Sequence, residues 1–150
     1  MLDPIFIFGA KYLIILPIVI VGIYLYKSPV ETRKKFLIFL LITLPITYLL
    51  GLAARQAFFN PRPFVVGGFE PLIAHEADNG FPSDHILLAA SLAAVMLFFD
   101  RKYAYWLWAL TAFIAFSRVY VGVHHFFDVA ASMGIALLCA IIIAKFYATR

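Results

Sequence analysis

Four long apolar runs, Tyr12–Tyr26, Phe36–Ala54, Tyr103–Val121 and Val129–Ala144, leave this chain few ways to fold. A hydrocarbon layer about 30 Å thick takes roughly 20 mostly apolar residues per helix, and each run approaches that length. A fifth run, Ile86–Phe99, is shorter and begins directly after Pro82-Ser-Asp-His85. Of the 150 residues, 65% are hydrophobic and 13% charged, where soluble domains carry about 45–50% and 25%. The mean hydropathy is +0.97. This composition excludes a soluble globular enzyme, a disordered chain and a disulfide-stapled module. The runs do not alternate polar and apolar residues, which argues against a transmembrane β-barrel. The expected fold is an all-α polytopic membrane helix bundle of about five transmembrane helices, forming one domain over residues 1–150. Ile5–Ala10 either lengthens the first span or lies flat in the interface. Asp3 in place of a basic n-region argues against a cleaved signal peptide. The single cysteine, Cys139, sits in an apolar run and forms no internal disulfide.

Orientation follows from basic residues near the span ends. Lys27, Arg33, Lys34 and Lys35 are expected in the loop after the first span, Arg101 and Lys102 after the third, and Lys145 and Arg150 after the last. With five spans all eight fall on one side, taken as the cytoplasm, with the N-terminus outside and the C-terminus inside. Lys11, Arg55, Arg62 and Arg118 fall at the opposite face. So do all four histidines (His75, His85, His124, His125) and six acids (Asp3, Glu70, Glu76, Asp78, Asp84, Asp128). Polar residues must collect at some membrane face, but that does not explain three arginines where few cations are expected. Ionisable groups at membrane depth are costly and usually face a site.

Three segments reach that face. In Arg55-Gln-Ala-Phe-Phe-Asn-Pro-Arg62-Pro63, the prolines hold Arg62 in extended backbone, and a guanidinium so held loses little freedom on gripping an oxyanion. Alone, such arginines could equally snorkel to lipid headgroups. In Phe81-Pro82-Ser83-Asp84-His85, Ser83 or Asp84 reads as the N-cap of an apolar helix whose unpaired N–H groups favour an anion. In Ser117-Arg118-Val-Tyr-Val-Gly-Val-His124-His125-Phe-Phe-Asp128, a helix would put His124 and Asp128 on one face. The carboxylate would then hold one ring nitrogen protonated and leave the other nucleophilic. His125, three residues from Asp128, could play the same role. The connection Phe58–Phe81 is long enough to be functional in its own right.

Together the segments resemble the three motifs of the type-2 phosphatidic acid phosphatase superfamily, K-x6-R-P, P-S-G-H and S-R-x5-H-x3-D. The chain has Arg55-x6-Arg62-Pro63, Pro82-Ser83-Asp84-His85 and Ser117-Arg118-x5-His124-x3-Asp128, with Arg55 in place of Lys and Asp84 in place of Gly. Its small size, the Pro-Ser-Asp-His variant and His75-Glu76-Ala-Asp78-Asn79 are similar to the bacitracin-resistance type of undecaprenyl-diphosphate phosphatase. The resemblance implies His124 as nucleophile, Asp128 orienting it, and His85 protonating the leaving oxygen and then activating water. It implies Arg55, Arg62, Arg118, Ser83 and the segment around Asp84 and His85 as the phosphate-binding set. Asp84 sets a carboxylate near the anion, which is unfavourable unless it caps the helix or faces away. No cofactor or metal is implied, since three arginines and a helix N-terminus supply positive charge.

The implied activity is hydrolysis of undecaprenyl diphosphate on the outer face of the plasma membrane, within lipid-carrier recycling and bacitracin resistance. Phosphatidic acid or phosphatidylglycerophosphate would suit the same chemistry. The expected partners are a polyprenyl or phospholipid (di)phosphate and the bilayer; no nucleic acid is expected, and a homo-oligomer is left open. A metal-dependent hydrolase built on His75, Glu76, His85, His124 and Asp128 lacks H-E-x-x-H or similar spacing. A channel or transporter using the ionisable cluster as a path would be expected to show an inverted repeat, and none is visible.

Overall fold

A 28-residue helix, α3 (Val30–Ala57), runs the length of the bundle and delivers Arg55 to one end in its last turn. Before it come α1 (Asp3–Lys11) and α2 (Ile15–Lys27). After it come α4 (Pro63–Gly67), α5 (Asp84–Met96), α6 (Arg101–Tyr120) and α7 (Phe126–Ala148). The computed structural model describes residues 2–148, so Arg150 lies outside the described residues. Among the described residues no strand forms, and one isolated antiparallel bridge joins Pro61 to Asn79.

The basic residues expected in a loop after the first span are helical instead. Lys27 is the last residue of α2, and Arg33, Lys34 and Lys35 occupy the first turns of α3. Ser28 and Pro29 alone make the connection, because Pro29 presets the extended backbone that starts a helix. Arg33 reaches back from α3 to the Leu25 carbonyl at 3.0 Å and to those of Tyr26 and Ser28 at 3.3 Å. It thereby adds donors to the carbonyls around the C-terminal end of α2, where helical partners run out. Arg101 and Lys102 likewise open α6, whose N-cap Asp100 accepts from the Lys102 and Tyr103 N–H groups.

The first apolar run is broken. Tyr12–Ile14 form a turn, and α1 and α2 meet at a bend of 55°. By length and composition two helices are able to cross a membrane, α3 and residues Phe126–Phe146 of α7; the bent α1–α2 pair makes a third if it counts as one span. Five full spans are therefore more than length and composition alone support. At about 1.5 Å per residue, the 13 residues of α5 reach only ~20 Å.

α5 is short because it is an inner helix. Its residues Ile86, Leu87 and Ala89 through Met96 are buried beneath α3, α6 and α7. Ala89, Ala90, Ala93 and Ala94 let those neighbours approach closely. The outer helices expose apolar side chains such as Leu41 (69%), Leu49 (62%) and Leu138 (61%). That surface suits lipid and is foreign to a soluble monomer. Cys139 is buried, with its thiol 3.9 Å from the Thr43 carbonyl.

This packing gathers the C-terminal ends of α3 and α6 and the N-terminal ends of α5 and α7 at one end of the bundle. The segment between α3 and α5 closes over them. Its Leu72 N–H bonds the Val121 carbonyl at 3.0 Å, and its Gly80 N–H bonds the Asn60 carbonyl at 2.9 Å.

Candidate active site

A cavity of about 210 Å³ opens where those helix ends meet. Arg55, Arg62, Asp84, His85, Arg118 and His124 line it, together with His75, Asp78, Asn79 and Pro82. The three sequence segments thus converge on one space. Ser83 and Asp128 do not line it; both are wholly buried behind its wall.

His124 is not on a helix. α6 ends at Tyr120, and Gly122 turns the chain with φ +82°, a conformation other residues rarely adopt. His124 follows in the turn before α7, 3% exposed. Its Nδ1 lies 2.9 Å from the Gly80 carbonyl oxygen and 3.7 Å from Asp128 Oδ2. A carbonyl only accepts, so Nδ1 carries the proton and Nε2 keeps its lone pair. The Gly80 backbone therefore sets the tautomer, and the Asp128 carboxylate stands behind as a charge, unlike the direct helical His–Asp pair expected from the spacing. Nε2 accepts from Arg118 Nη2 at 3.2 Å. Burial, then the guanidiniums of Arg118 and Arg62, push the His124 pKa below its usual value against the opposing pull of Asp128.

Asp128 is held from two sides. Asn60 Nδ2 donates to Oδ1 at 2.7 Å and the His125 backbone N–H to Oδ2 at 2.8 Å. The His125 ring turns away from the cavity, with Nε2 3.0 Å from the Pro61 carbonyl. The structure thus separates two histidines that spacing alone leaves equivalent.

The arginines differ in what holds them. Arg62, 5% exposed, donates from Nε to Asp78 Oδ1 at 2.6 Å and from Nη1 to the Val123 carbonyl at 2.8 Å. Arg62 also holds the Asp78 carboxyl below its usual pKa although burial works the other way. Arg55 donates from Nη2 to Asp84 Oδ1 at 2.7 Å and to the Pro82 carbonyl at 3.3 Å. Arg118 makes no ion pair among the described residues. It donates to the Ala10 carbonyl at 3.3 Å and, through one Nη2, to both His124 Nε2 and His75 Nε2. Its Nε is buried without a partner.

Ser83 takes the N-cap position of α5 but its side chain makes no capping bond; its Oγ is buried and unpartnered. Its backbone N–H instead bonds Ser132 Oγ at 2.9 Å. Asp84, in the first turn, turns to Arg55 and so does not cap the helix either.

Sequence reasoning gives Asn60 and Gly80 no part, and Asn79 only a place in the segment His75-Glu76-Ala-Asp78-Asn79 with no role, yet all three hold the site together. Asn79 accepts from the Asn60 and Phe81 backbone N–H groups at 3.0 and 2.9 Å and donates to the Arg55 and Phe58 carbonyls at 3.1 and 2.9 Å. It ties the first motif to the second. Gly80 comes so close that an added Cβ would stand 3.2 Å from Asp128 Oδ2 and 3.3 Å from the Asn60 carbonyl. The available signal was the Asn79-Gly80 pair, which reads only as a turn. Among the described residues no three His, Cys, Asp or Glu are grouped to hold a metal ion.

A cavity lined by three arginines around a buried imidazole offering Nε2 has the chemistry that nucleophilic displacement at phosphorus needs, and comparison with known proteins gives the chain a family. The sequence profile of the PAP2 superfamily matches residues 36–150. The undecaprenyl-diphosphatase BcrC of Bacillus subtilis is 34% identical over 150 residues, covering 97% of this chain and 75% of that protein. The bacitracin transport permease protein BcrC of Bacillus licheniformis is 32% identical over 146 residues, covering 95% and 70%. Among solved structures, LpxE of Aquifex aeolicus superposes with a TM-score of 0.73 at 24% identity, over 96% of this chain and 86% of that one. The matched stretch contains every motif residue from Arg55 to Asp128 and the whole cavity wall from Arg55 to His124, and the chain belongs to the PAP2 superfamily.

Proposed function

We propose that this chain removes the terminal phosphate of undecaprenyl diphosphate, giving undecaprenyl phosphate and inorganic phosphate. Family membership makes it a phosphatase of phosphate esters or anhydrides. The particular substrate follows from the B. subtilis relative's name and identity. The observation that carries the chemistry is His124, with Nδ1–H on the Gly80 carbonyl and Nε2 facing the arginine-lined cavity. The B. licheniformis relative bears a transport name; three arginines gathered around the His124 ring favour phosphoryl chemistry over a solute path.

In this reading the terminal phosphate enters among Arg55, Arg62 and Arg118. Its anionic oxygens draw the Arg118 N–H away from His124, since charge-assisted bonds are the stronger. The freed Nε2 forms a bond to phosphorus as the bridging P–O bond breaks, and His85 gives its proton to the departing oxygen. His85 then takes a proton from water, whose oxygen attacks the phosphohistidine and releases phosphate. Arg118 and the N-terminal ends of α5 and α7 stabilise the charge on the transferring group. Asp128, held by Asn60, stabilises the positive ring of the phosphohistidine.

The same reading gives one domain with about five spans in the plasma membrane, site outward and C-terminus in the cytoplasm. Lys27, Arg33, Lys34, Lys35, Arg101, Lys102 and Lys145, all at the far end from the cavity, support this orientation. The test is phosphate release by the purified chain from undecaprenyl diphosphate, phosphatidylglycerophosphate and phosphatidic acid. Fastest release from the first is expected. Release only from a phospholipid would move the substrate, and release from none would reject hydrolysis.

A further inference from the structure

His75 belongs to none of the three superfamily motifs, yet it lines the cavity, with its Nε2 3.3 Å from Arg118 Nη2. Its ring centroid is 6.4 Å from that of His124 and nearly perpendicular to it. The same Nη2 serves both rings, so two imidazole lone pairs share one guanidinium nitrogen. A phosphoryl group that draws Arg118 away from His124 also takes it from His75, whose Nε2 then faces an anion with no proton to offer.

Charge makes this consequential. Arg55, Arg62 and Arg118 stand against Asp78 and Asp84, so three guanidiniums and two carboxylates leave the cavity one net positive charge. A terminal phosphate alone brings about −1.5 to −2 near neutrality, and a second phosphate adds roughly one more negative charge. The fixed charges do not balance a diphosphate.

We propose that His75 is a further phosphate-binding residue, one that takes up a proton from solvent as a diphosphate headgroup enters and donates it in a hydrogen bond from Nε2 to a phosphoryl oxygen. The inference rests on the function proposed above. His75 is exposed, so the proton has a path from water. The groups facing it are Arg118 on α6, Arg62 before α4, His124 in the turn, His85 across the cavity, and Glu76 and Asp78 on its own loop. Partial burial of the ring and the two arginines hold its pKa below the usual value. An arriving anion reverses the sign of that field.

The experiment is calorimetric titration of the full chain in nanodiscs with inorganic pyrophosphate at about pH 7, in two buffers of different ionisation enthalpy. His75→Gln is the key variant, because its amide keeps an acceptor for Arg118 but cannot be charged. The wild type should take up about half to one proton more per pyrophosphate than His75→Gln. On undecaprenyl diphosphate the variant's KM should rise roughly tenfold, with kcat within about threefold. Equal proton uptake by the two proteins, or full rescue of KM by glutamine, would leave His75 as a mere prop for Arg118 and overturn the proposal. Should His75→Gln fail to fold, pyrophosphate affinity of the wild type that does not change with pH overturns it equally. A wild type that releases no phosphate from any lipid sinks the functional reading instead, and the proton count still decides the fate of His75.

Discussion

Arg55 and Asp84, the two positions where the motifs depart from the family pattern, are bound to each other, Nη2 to Oδ1 at 2.7 Å. A carboxylate beside an anion site is repulsive in isolation, and here it is offset by the guanidinium that replaces the pattern's lysine. Arg55 also donates to the Pro82 carbonyl, so its planar fork spans both the backbone and the side chain of the second motif. A lysine, a point charge, would not hold both as well.

The pair should matter to substrate rather than to stability. Its side chains are 32% and 57% exposed, and ion pairs so exposed contribute about 0–1 kcal/mol. Arg55→Ala should raise KM about tenfold, ~1.4 kcal/mol, because the Asp84 carboxylate then faces the phosphate alone. Adding Asp84→Gly should recover most of that loss, and Arg55→Lys/Asp84→Gly should turn over within about threefold of the wild type. Steady-state kinetics on these four proteins and on Asp84→Gly alone check this; strictly additive effects on KM would contradict the coupling.

His124→Ala should abolish phosphate release, by at least about 10³-fold, while His125→Ala keeps substantial activity. The difference lies in placement. His124 faces the cavity, whereas the His125 ring meets the Pro61 carbonyl and touches catalysis only through its backbone N–H on Asp128. That backbone group survives substitution to alanine. Single-turnover assays with both variants provide the measurement, and the opposite ranking would move the nucleophile to His125.

The convergence of Arg62, His85, Arg118 and His124 is legible in the sequence because each lies at or near the end of an apolar run, where topology leaves few places to go. The partner of His124 Nδ1 is not. It is a main-chain oxygen 44 residues away, and every residue carries one, so no side-chain pattern marks Gly80. Asn60 and Asn79 look like ordinary loop polarity until the Pro61–Asn79 bridge brings them beside Asp128 and Arg55. Hydropathy locates the apolar runs but counts the run that forms α5 as a fifth, shorter span, since composition does not distinguish a short inner helix from one facing lipid. It also loses the basic residues of α3 and α6 to loops, because Lys and Arg are good helix formers wherever a cap such as Pro29 or Asp100 precedes them.

Asp128→Asn should cost less than is usual when a carboxylate sets the tautomer of a catalytic histidine, where the loss is about 10⁴-fold. Here the Gly80 carbonyl keeps the proton on Nδ1. The asparagine therefore removes only the charge that stabilises the phosphorylated ring, and a fall in kcat of roughly 10–100-fold is expected. Asn60→Ala, which frees one Asp128 oxygen, should produce a smaller fall in the same direction. A loss near 10⁴-fold for Asp128→Asn, measured by phosphate release, would show that the carboxylate holds the tautomer after all.

The acid limb of the pH–rate profile should lie below the ordinary imidazole value of about 6.5. The nucleophile must be neutral, so activity is present above the His124 pKa and lost as pH falls through it. Burial and the guanidiniums of Arg118 and Arg62 push that pKa down, which extends activity toward acid. Arg62→Gln removes one of those charges and should move the limb of kcat/KM back up toward 6.5, whatever it does to the maximal rate. Profiles of kcat/KM for the wild type and Arg62→Gln, recorded on one lipid diphosphate, measure the displacement. A limb that stays in place, or moves to lower pH, would mean that Arg62 does not act on the ring of His124 through its charge.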